Sequence, residues 1–341
     1  MVTVAVDANG ADRGPAEVAR GAALVEGVRI ILFGPRAEMD VPAHIEVVDA
    51  PVSIAKDPDP ARAVRRTPDA SIVQAVRAVA DGRADALVSG GSTGAALAAS
   101  LFTFKRARGV HRPTLAVVVP VPKAPFLLLD AGANVEVRPE HLVQFAHMGA
   151  AFMETVLDVA RPTVALLSVG TEPAKGTPEL LEAHAVLSGG ALNFVGNVEG
   201  FDLPAATARV VVTDGFTGNV ALKVMEGTSK TVRGAIRDAV RSGAISAVGG
   251  LMVRGAIGRV REQLDPERIG GAILLGMRKP VVLAHGSFGP EGIASALRLA
   301  RRAVDEDMVG RTTAALEAAG ALRSAPAGSV AEVTTGAGES P

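Results

Sequence analysis

The sequence predicts an α/β fold in which helices cover both faces of a mostly parallel sheet, a three-layer α/β/α arrangement. Short runs rich in Val, Ile and Leu alternate with amphipathic stretches of helical period, an order typical of parallel strands joined by crossover helices. The runs are apolar throughout, as expected of strands buried on both faces. A chain of 341 residues, 48% of them apolar and 21% charged, is long enough to bury a large core.

The individual elements follow from the same pattern. Apolar runs predict strands at residues 2–6, 28–33, 86–89, 114–119, 126–130, 164–169, 210–213 and 281–284. Amphipathic stretches predict helices at residues 16–25, 71–80, 93–104, 139–156, 178–187 and 290–303. Strand and helix therefore alternate along most of the chain.

The alternation is interrupted once. Residues 220–241 and 244–263 predict two long helices with no strand between them, which is a helical hairpin. We therefore predict a single α/β/α domain over residues 1–323, with the hairpin inserted at about residues 220–263. Residues 324–341 consist mainly of small and polar residues, a composition that predicts a disordered tail.

Composition and motifs exclude several classes of function. The net charge is −1, and the chain has no Trp, no Tyr and only 10 Phe, so we expect no nucleic-acid partner. The absence of cysteine excludes disulfides, thiolate metal sites and a cysteine nucleophile. Motifs of nucleophilic-serine, zinc and P-loop enzymes are also missing, and we expect neither a metal nor a cofactor.

The amino terminus and the hydropathy predict a cytoplasmic protein. The first residues form a short alternating strand without the features of a signal peptide. No apolar run approaches the roughly 20 residues that span a bilayer. Any membrane contact is therefore expected to be peripheral.

Polar, glycine-rich loops follow the predicted strands, where ligands bind in open α/β sheets. Asp7 and Asn9 follow the first strand, although an N-cap and turn would explain them as well. The turn SGGSTG then opens a helix, and its N–H and hydroxyl groups suit an anion, with plain capping as the alternative. The candidate ligands in this turn are Ser89, Gly91, Ser92, Thr93 and Gly94.

Two later loops place charged groups at strand ends. Asp130 ends one strand and Asn134 lies four residues further on, which is also compatible with a helix-entry turn. Lys175 belongs to the loop SVGTEPAKG, where a lysine suits a phosphate as a compact charge. A surface ion pair is the alternative for Lys175.

The strongest local signal is the loop DGFTGN. Its two glycines allow a tight turn, so that Asp214 and Asn219 can both face a ligand, and Lys223 lies one turn into the following helix. His285 is the only one of the six histidines in a loop that follows a predicted strand. These loops together favour an anion-binding enzyme.

In this order, the loops resemble the PlsX-type phosphate acyltransferases of bacterial phospholipid synthesis. The resemblance extends from residue 2 to about residue 303, and the DGFTGN block is its most specific part. The blocks that carry it are VDANGADRGP at 6–15, DALVSGGSTGA at 85–95, LLLDAGANVE at 127–136, ALLSVGTEPAKG at 165–176, GNVEG at 196–200, DGFTGNVALKVMEG at 214–227 and LAHGS at 283–287.

The resemblance implies transfer of a fatty acyl group from an acyl carrier protein thioester to inorganic phosphate. It also implies a sheet related to those of phosphotransacetylases and isopropylmalate dehydrogenases, a homodimer, and peripheral attachment to membranes. Four residues depart from the family pattern. Ala11 stands where the family usually has Gly, and Ser92 stands where it has Asn. Pro173 replaces a Glu, and Phe201 replaces a basic residue.

Phosphate is a competent nucleophile and a thiolate is a good leaving group, so the enzyme needs only to align the two reactants and stabilise the oxyanion. The site residues would have the following roles. Lys175 and the SGGSTG turn would bind phosphate, and Asn219 would stabilise the oxyanion. Asp214 would orient a reactant or accept a proton, and His285 would protonate the departing sulfur. Lys223 would add a second positive charge for phosphate.

Three alternative functions stay open at this point. One is a phosphotransacetylase-like enzyme that uses acyl-coenzyme A, and another is a catalytically weakened protein that recruits partners of lipid synthesis. A dehydrogenase is the least favoured alternative, because no dinucleotide-binding fingerprint is present.

The predicted hairpin has a surface role of its own. It is rich in arginine, and its tip between Ile245 and Ile257 is apolar around Gly249 and Gly250. This composition suits a subunit interface or contact with an anionic lipid surface. The same arginines could instead receive an acidic carrier protein.

Overall fold

A computed structural model describes residues 1–323, and the predicted disordered tail at residues 324–341 lies outside this range. The chain forms one sheet of 11 strands in the order β3-β2-β1-β4-β11-β10-β5-β6-β9-β7-β8. The strands are β1 (Thr3–Asp7), β2 (Arg29–Gly34), β3 (Glu46–Asp49), β4 (Ala86–Ser89), β5 (Thr114–Val119), β6 (Phe126–Leu129), β7 (Val164–Leu167), β8 (Phe194–Val198), β9 (Val210–Val212), β10 (Ala272–Leu275) and β11 (Val281–Leu283).

Helices cover both faces of this sheet, as predicted. They are α1 (Pro15–Ala23), α2 (Pro60–Arg66), α3 (Ser71–Ala80), α4 (Thr93–Thr103), α5 (Pro139–Val156), α6 (Pro178–Ser188), α7 (Gly215–Arg241), α8 (Ala244–Gln263), α9 (Pro290–Asp305) and α10 (Met308–Ala318). Successive residues of β1 point to opposite faces, so Val4 packs in one buried cluster and Ala5 in another. Helices α1, α5, α6, α9 and α10 cover the first face, and α2, α3, α4 and the start of α7 cover the second.

The direction of the strands reverses near the middle of the sheet. Strands β3, β2, β1, β4 and β11 are mutually parallel, and so are β6, β9, β7 and β8. Between these groups lie three antiparallel pairings, β11 with β10, β10 with β5, and β5 with β6. The carboxyl ends of β1, β4 and β11 therefore lie along one edge of the sheet, and those of β6, β9 and β7 lie along the opposite edge.

The sequence predicted the buried elements well and missed those with mixed composition. Strands β4 and β5 and helices α3 and α5 have the predicted bounds. Strand β3 is exposed on part of its length, and β8 contains Gly196 and Asn197, so neither showed a clear apolar run. Strand β10 is the exception, because its buried apolar sequence AILL lies between glycines and was not assigned as a strand. Short, arginine-rich α2 and the carboxyl-terminal α10 were also missed.

The hairpin is formed by α7 and α8. Only Gly215 and Gly218 of α7 are buried, and α8, all of whose residues are described, has none. Within residues 1–323, we find no helix that combines the length and apolar character needed to cross a membrane.

Candidate active site

Asp7 is the centre of a buried hydrogen-bond cluster at the end of β1. Its carboxylate accepts hydrogen bonds from Ser71 Oγ at 2.6 Å and Ser89 Oγ at 2.8 Å, and the side chain is 2% exposed. Burial raises the pKa of Asp7 to about 6, although these two hydroxyls and the Asn9 N–H oppose the shift. Gly91 N–H donates to Ser89 Oγ at 3.2 Å. Asp7 therefore positions the β1 and β4 loops rather than facing open space.

Asn9 and the first residues of α4 complete this part of the site. Asn9 Nδ2 donates to the carbonyl oxygens of Ala50 and Pro51, which ties the β1 loop to the segment after β3. Ser92 caps α4, because its Oγ accepts a hydrogen bond from Ala95 N–H at 3.4 Å. Thr93 and Gly94 form the first turn of that helix. Since serine and asparagine cap helices about equally well, the departure at Ser92 preserves the cap.

His285 follows β11 at the same edge of the sheet. Its Nδ1 lies 2.8 Å from Ser287 Oγ and accepts the Ser287 N–H at 3.3 Å, so the ring is held through Nδ1. The imidazole is otherwise exposed. The loop is held against the β1 loop by a hydrogen bond of 2.9 Å from Asp12 N–H to the Gly286 carbonyl oxygen.

Asp130 organises the opposite edge of the sheet. It is completely buried and accepts hydrogen bonds from the backbone N–H groups of Leu115, Gly132, Ala133 and Asn134 and from Asn134 Nδ2. Burial raises the pKa of Asp130, and the hydrogen bonds counteract that shift. This carboxylate fixes the backbone of the loop after β6.

The segment DGFTGN is not the tight-turn loop that was predicted, because Asp214 is the N-cap of α7 and the helix begins at Gly215 rather than near residue 220. This segment interlocks with the Asp130 loop. Asp214 caps α7 by accepting the Thr217 N–H at 2.8 Å, and Gly215 N–H donates to the Asn134 carbonyl oxygen at 2.7 Å. A Cβ atom on Gly218 would lie 2.0 Å from the Asp130 carbonyl oxygen. Only glycine permits this approach, which leaves Asn219 exposed beside Gly132.

Lys175 lies at this second edge, in the loop after β7. Ser168 Oγ donates to the Lys175 carbonyl oxygen at 2.9 Å, and Asn197 Nδ2 donates to the Glu172 carbonyl oxygen at 2.9 Å. These bonds hold the loop while the Lys175 side chain stays exposed, and its ammonium group forms no ion pair within the described residues. Lys223, in contrast, pairs with Glu226 at 2.8 Å.

The predicted site residues thus fall into two groups. Asp7, Asn9, the SGGSTG turn and His285 lie at one edge, and Asp130, Asn134, Asp214, Asn219 and Lys175 lie at the other. Hydrogen bonds connect residues within each group, but none in the described part of the chain connects the two groups. Helices α4 and α7 start at opposite edges and pack on the same face, where Leu222 joins the buried cluster that contains Ala95.

The sequence analysis missed several residues that the fold brings to these groups. Ser71 shows no local motif, and Asn197 lies in the GNVEG block but was not named as a site residue; the partners of both lie far away in the sequence. A cavity of about 340 Å³ opens beside the Asp130 loop. Its walls include Leu97, Leu101, Lys105, Arg106, Arg112, Pro113, Ala133 and Asn134.

One histidine cluster also forms near this cavity. The ligand atoms of His111, Glu140 and His141 lie within 4.8 Å of one another. Burial lowers the pKa of both imidazoles. However, His141 Nδ1 accepts the Arg138 N–H at 3.2 Å, so the neutral ring carries its proton on Nε2. A metal-binding histidine normally donates from its second nitrogen, so this arrangement argues against a metal ion at His141.

Comparison with solved structures defines the class of the protein. The phosphotransacetylase from Streptococcus pyogenes aligns with a TM-score of 0.60 at 18% identity, over 89% of this chain and 94% of that one. The 4-hydroxythreonine-4-phosphate dehydrogenase from Klebsiella pneumoniae aligns with a TM-score of 0.51 at 14% identity, over 89% of this chain and 100% of that one. The chain therefore has the α/β fold shared by phosphotransacetylases and these dehydrogenases.

Sequence comparison then identifies the family. A model described as fatty acid synthesis protein matches residues 2–311. The phosphate acyltransferase of Heliobacterium modesticaldum is 40% identical over 320 residues, which cover 90% of this chain and 95% of that protein. The one from Desulforudis audaxviator is 43% identical over 314 residues, covering 90% and 94%. The chain belongs to this family, the phosphate acyltransferases of fatty acid and phospholipid synthesis, and the predicted resemblance is confirmed.

Proposed function

We propose that the chain transfers a fatty acyl group from an acyl carrier protein thioester to inorganic phosphate, giving an acyl phosphate and free thiol. The observation that carries this proposal is the interlocked pair of loops at Asp130 and Asp214, in a member of the phosphate acyltransferase family. Asp130 rigidifies these loops through its hydrogen bonds to main-chain N–H groups. Because the two loops are rigid, the exposed Asn219 beside them can stabilise an oxyanion without any rearrangement of the protein.

The proposed roles follow from the two groups of residues. Lys175 and Lys223 attract the acceptor phosphate, and Asn219 stabilises the oxyanion of the tetrahedral intermediate. Asp214 orients the loop through its cap. His285 lies at the other edge, too far from Asn219 to protonate the sulfur of the same thioester, so His285 and the SGGSTG turn contact a part of the donor remote from the thioester.

An elongated donor explains how both edges of the sheet can contribute. Strands of four to six residues are about 13–20 Å long, which is too far for a single phosphate ion to contact both ends of one strand. An acyl-pantetheine thioester has a comparable length. It can lie along the face that α4 and α7 share, with Asp130 and Asn134 shaping one end and Asp7 and Asn9 shaping the other.

Release of free thiol tests the reaction directly. We expect thiol release from a long-chain acyl carrier protein substrate to require inorganic phosphate, and to be slower with acyl-coenzyme A. A preference for acyl-coenzyme A would instead support the phosphotransacetylase-like alternative. If neither donor releases thiol in a phosphate-dependent way, the proposed reaction is excluded and a protein that recruits partners of lipid synthesis is favoured.

Lys175→Met is expected to raise the half-saturating phosphate concentration about tenfold, because a charge-assisted contact contributes roughly 1.5–3 kcal/mol. Lys223→Met should raise it less, since Glu226 already neutralises that ammonium group. Lys123→Met serves as the control, because exposed Lys123 lies between β5 and β6 and away from Lys175. Unchanged phosphate kinetics in both site variants would remove the two lysines from the phosphate site.

A homodimer is part of the proposal, and α7 provides its support. Phe216, Val220 and Val224 are exposed apolar residues spaced four apart, so they lie along one side of the helix. Such a stripe would be buried by a second copy of the chain. Sedimentation analysis should give twice the chain mass, and a monomer at all concentrations would contradict this part.

We also propose peripheral membrane contact through the hairpin tip between Ile245 and Ile257. Ile245 and Met252 are 91% and 83% exposed, and arginines lie on the same hairpin. Leu251→Glu is expected to reduce flotation with anionic vesicles at least severalfold. Val186→Glu, which changes an exposed valine of α6, is the matched control. Equal flotation of the Leu251 variant and the unmodified chain would exclude insertion of the tip.

A further inference from the structure

The cavity beside the Asp130 loop has one apolar and one cationic wall. Leu97 and Leu101 of α4 form part of the apolar wall, and Lys105, Arg106 and Arg112 form the cationic one. A second cavity of about 290 Å³ is also lined by Arg112, and the two together form one groove.

The positive charges of this groove are largely uncompensated. None of the three cationic residues forms an ion pair with a carboxylate in the part of the chain that the structure describes. Arg106 donates to the His111 carbonyl oxygen, whereas the head groups of Lys105 and Arg112 are exposed. Glu136 is the one acidic residue that lines either cavity. The groove therefore attracts an anion.

Hydrogen bonds fix the walls on both sides. Ala107 N–H donates to the Gly276 carbonyl oxygen at 2.8 Å, which attaches the segment after α4 to the end of β10. On the other side, Asn134 Nδ2 donates to the Pro113 carbonyl oxygen at 2.7 Å. A groove with fixed walls loses little entropy when it binds a ligand.

We propose that this groove binds a phosphate ester, namely the phosphate of the donor's phosphopantetheine arm. Lys105 and Arg112 contact the phosphate, and the organic part of the arm lies against Leu97 and Leu101. Free inorganic phosphate shares the anionic chemistry, but it would fill only a small part of about 340 Å³ and leave the apolar wall empty.

The position of the groove agrees with this ligand. Asn134 lines it, and the carbonyl oxygen of the same residue accepts the Gly215 N–H at the start of DGFTGN. An arm anchored here by its phosphate can therefore carry a thioester toward Asn219. This inference rests on the proposed function, because it assigns a binding place to the donor of that reaction.

Equilibrium binding tests the assignment without turnover. Titration calorimetry on the full chain compares 4′-phosphopantetheine, pantetheine and inorganic phosphate. We expect phosphopantetheine to bind at least tenfold more tightly than pantetheine, and Arg112→Gln to reduce this ratio to below threefold. Lys105→Gln should act in the same direction. Arg108→Gln is the control, because exposed Arg108 lies in the same segment but does not line the groove.

The outcomes separate the possible occupants. Equal binding of phosphopantetheine and pantetheine, or an unchanged ratio in both the Arg112 and Lys105 variants, would overturn the proposal. The proposal would also be overturned if Arg112→Gln weakened the binding of inorganic phosphate as strongly as it weakens the binding of phosphopantetheine. Weaker binding of the carrier protein with unaltered phosphopantetheine binding would assign the cations to a protein surface instead. If phosphopantetheine binding depends on Arg112 but thiol release does not depend on phosphate, the groove is still a phosphopantetheine site and the proposed reaction is refuted.

Discussion

Gly218→Ala is expected to lower the free energy of unfolding by about 3 kcal/mol or more and to abolish phosphate-dependent thiol release. The added Cβ would lie 2.0 Å from the Asp130 carbonyl oxygen. The Asp130 loop cannot easily move to relieve this clash, because the Asp130 side chain is anchored by main-chain N–H groups of β5 and of its own loop. Either α7 must shift away from the sheet or the Asp130 loop must open.

Gly227→Ala is the matched control, because it makes the same substitution in the same helix. A Cβ at Gly227 would meet nothing within 4 Å. Alanine is the better helix former by about 1 kcal/mol, so this variant should be as stable as the unmodified chain or more so. Urea unfolding measures both changes. Equal stability of the two variants would contradict the interlocking of the Asp130 and Asp214 loops.

Asp7→Asn is expected to remove a large dependence of stability on pH. Burial raises the pKa of Asp7 to about 6 from 3.8, so the folded chain holds this proton more tightly than the unfolded chain. The corresponding stabilisation is fully present below about pH 3.8 and is lost as the pH rises through about 6. A shift of two units corresponds to about 3 kcal/mol.

Unfolding by urea at a series of pH values from 4 to 8 checks this expectation. The difference in unfolding free energy between the unmodified chain and Asp7→Asn should change by about 2.5 kcal/mol over this range, in favour of the variant at high pH. Asp81→Asn, at an exposed aspartate after α3, should leave the pH profile unchanged. A difference that does not vary with pH would mean that Asp7 titrates in the folded chain as it does in the unfolded one.

Local pattern was enough for most of the fold and for many candidate ligands. The buried strands and long helices were predicted because each repeats one apolar pattern over its length, as Ser71–Ala80 and Pro139–Val156 do. The strand-end loops were predicted because glycine and polar residues interrupt those patterns. Strand β8 was missed because Gly196 and Asn197 interrupt its apolar sequence in the same way.

The grouping of the site residues could not be predicted in the same way. Their division between two edges depends on three antiparallel pairings, two of which involve β10, a strand that follows the hairpin and was missed. The Ser71–Asp7 bond joins residues 64 positions apart, and no local periodicity reports such a partner. The cationic groove likewise combines α4 and the Asp130 loop with the segment between α4 and β5, which showed no motif in the sequence.

The sequence by itself determined the α/β class, the family and the identity of the conspicuous loops, because these depend on local composition and on ordered motifs. The tertiary structure decided which loops share an edge, which carboxylates are fully occupied, and which cations stay available. Those properties arise from strand direction and from contacts between distant segments. Asp130 illustrates the difference, since its motif is visible in the sequence but its role in holding the DGFTGN loop depends on the pairing of β6 with β9.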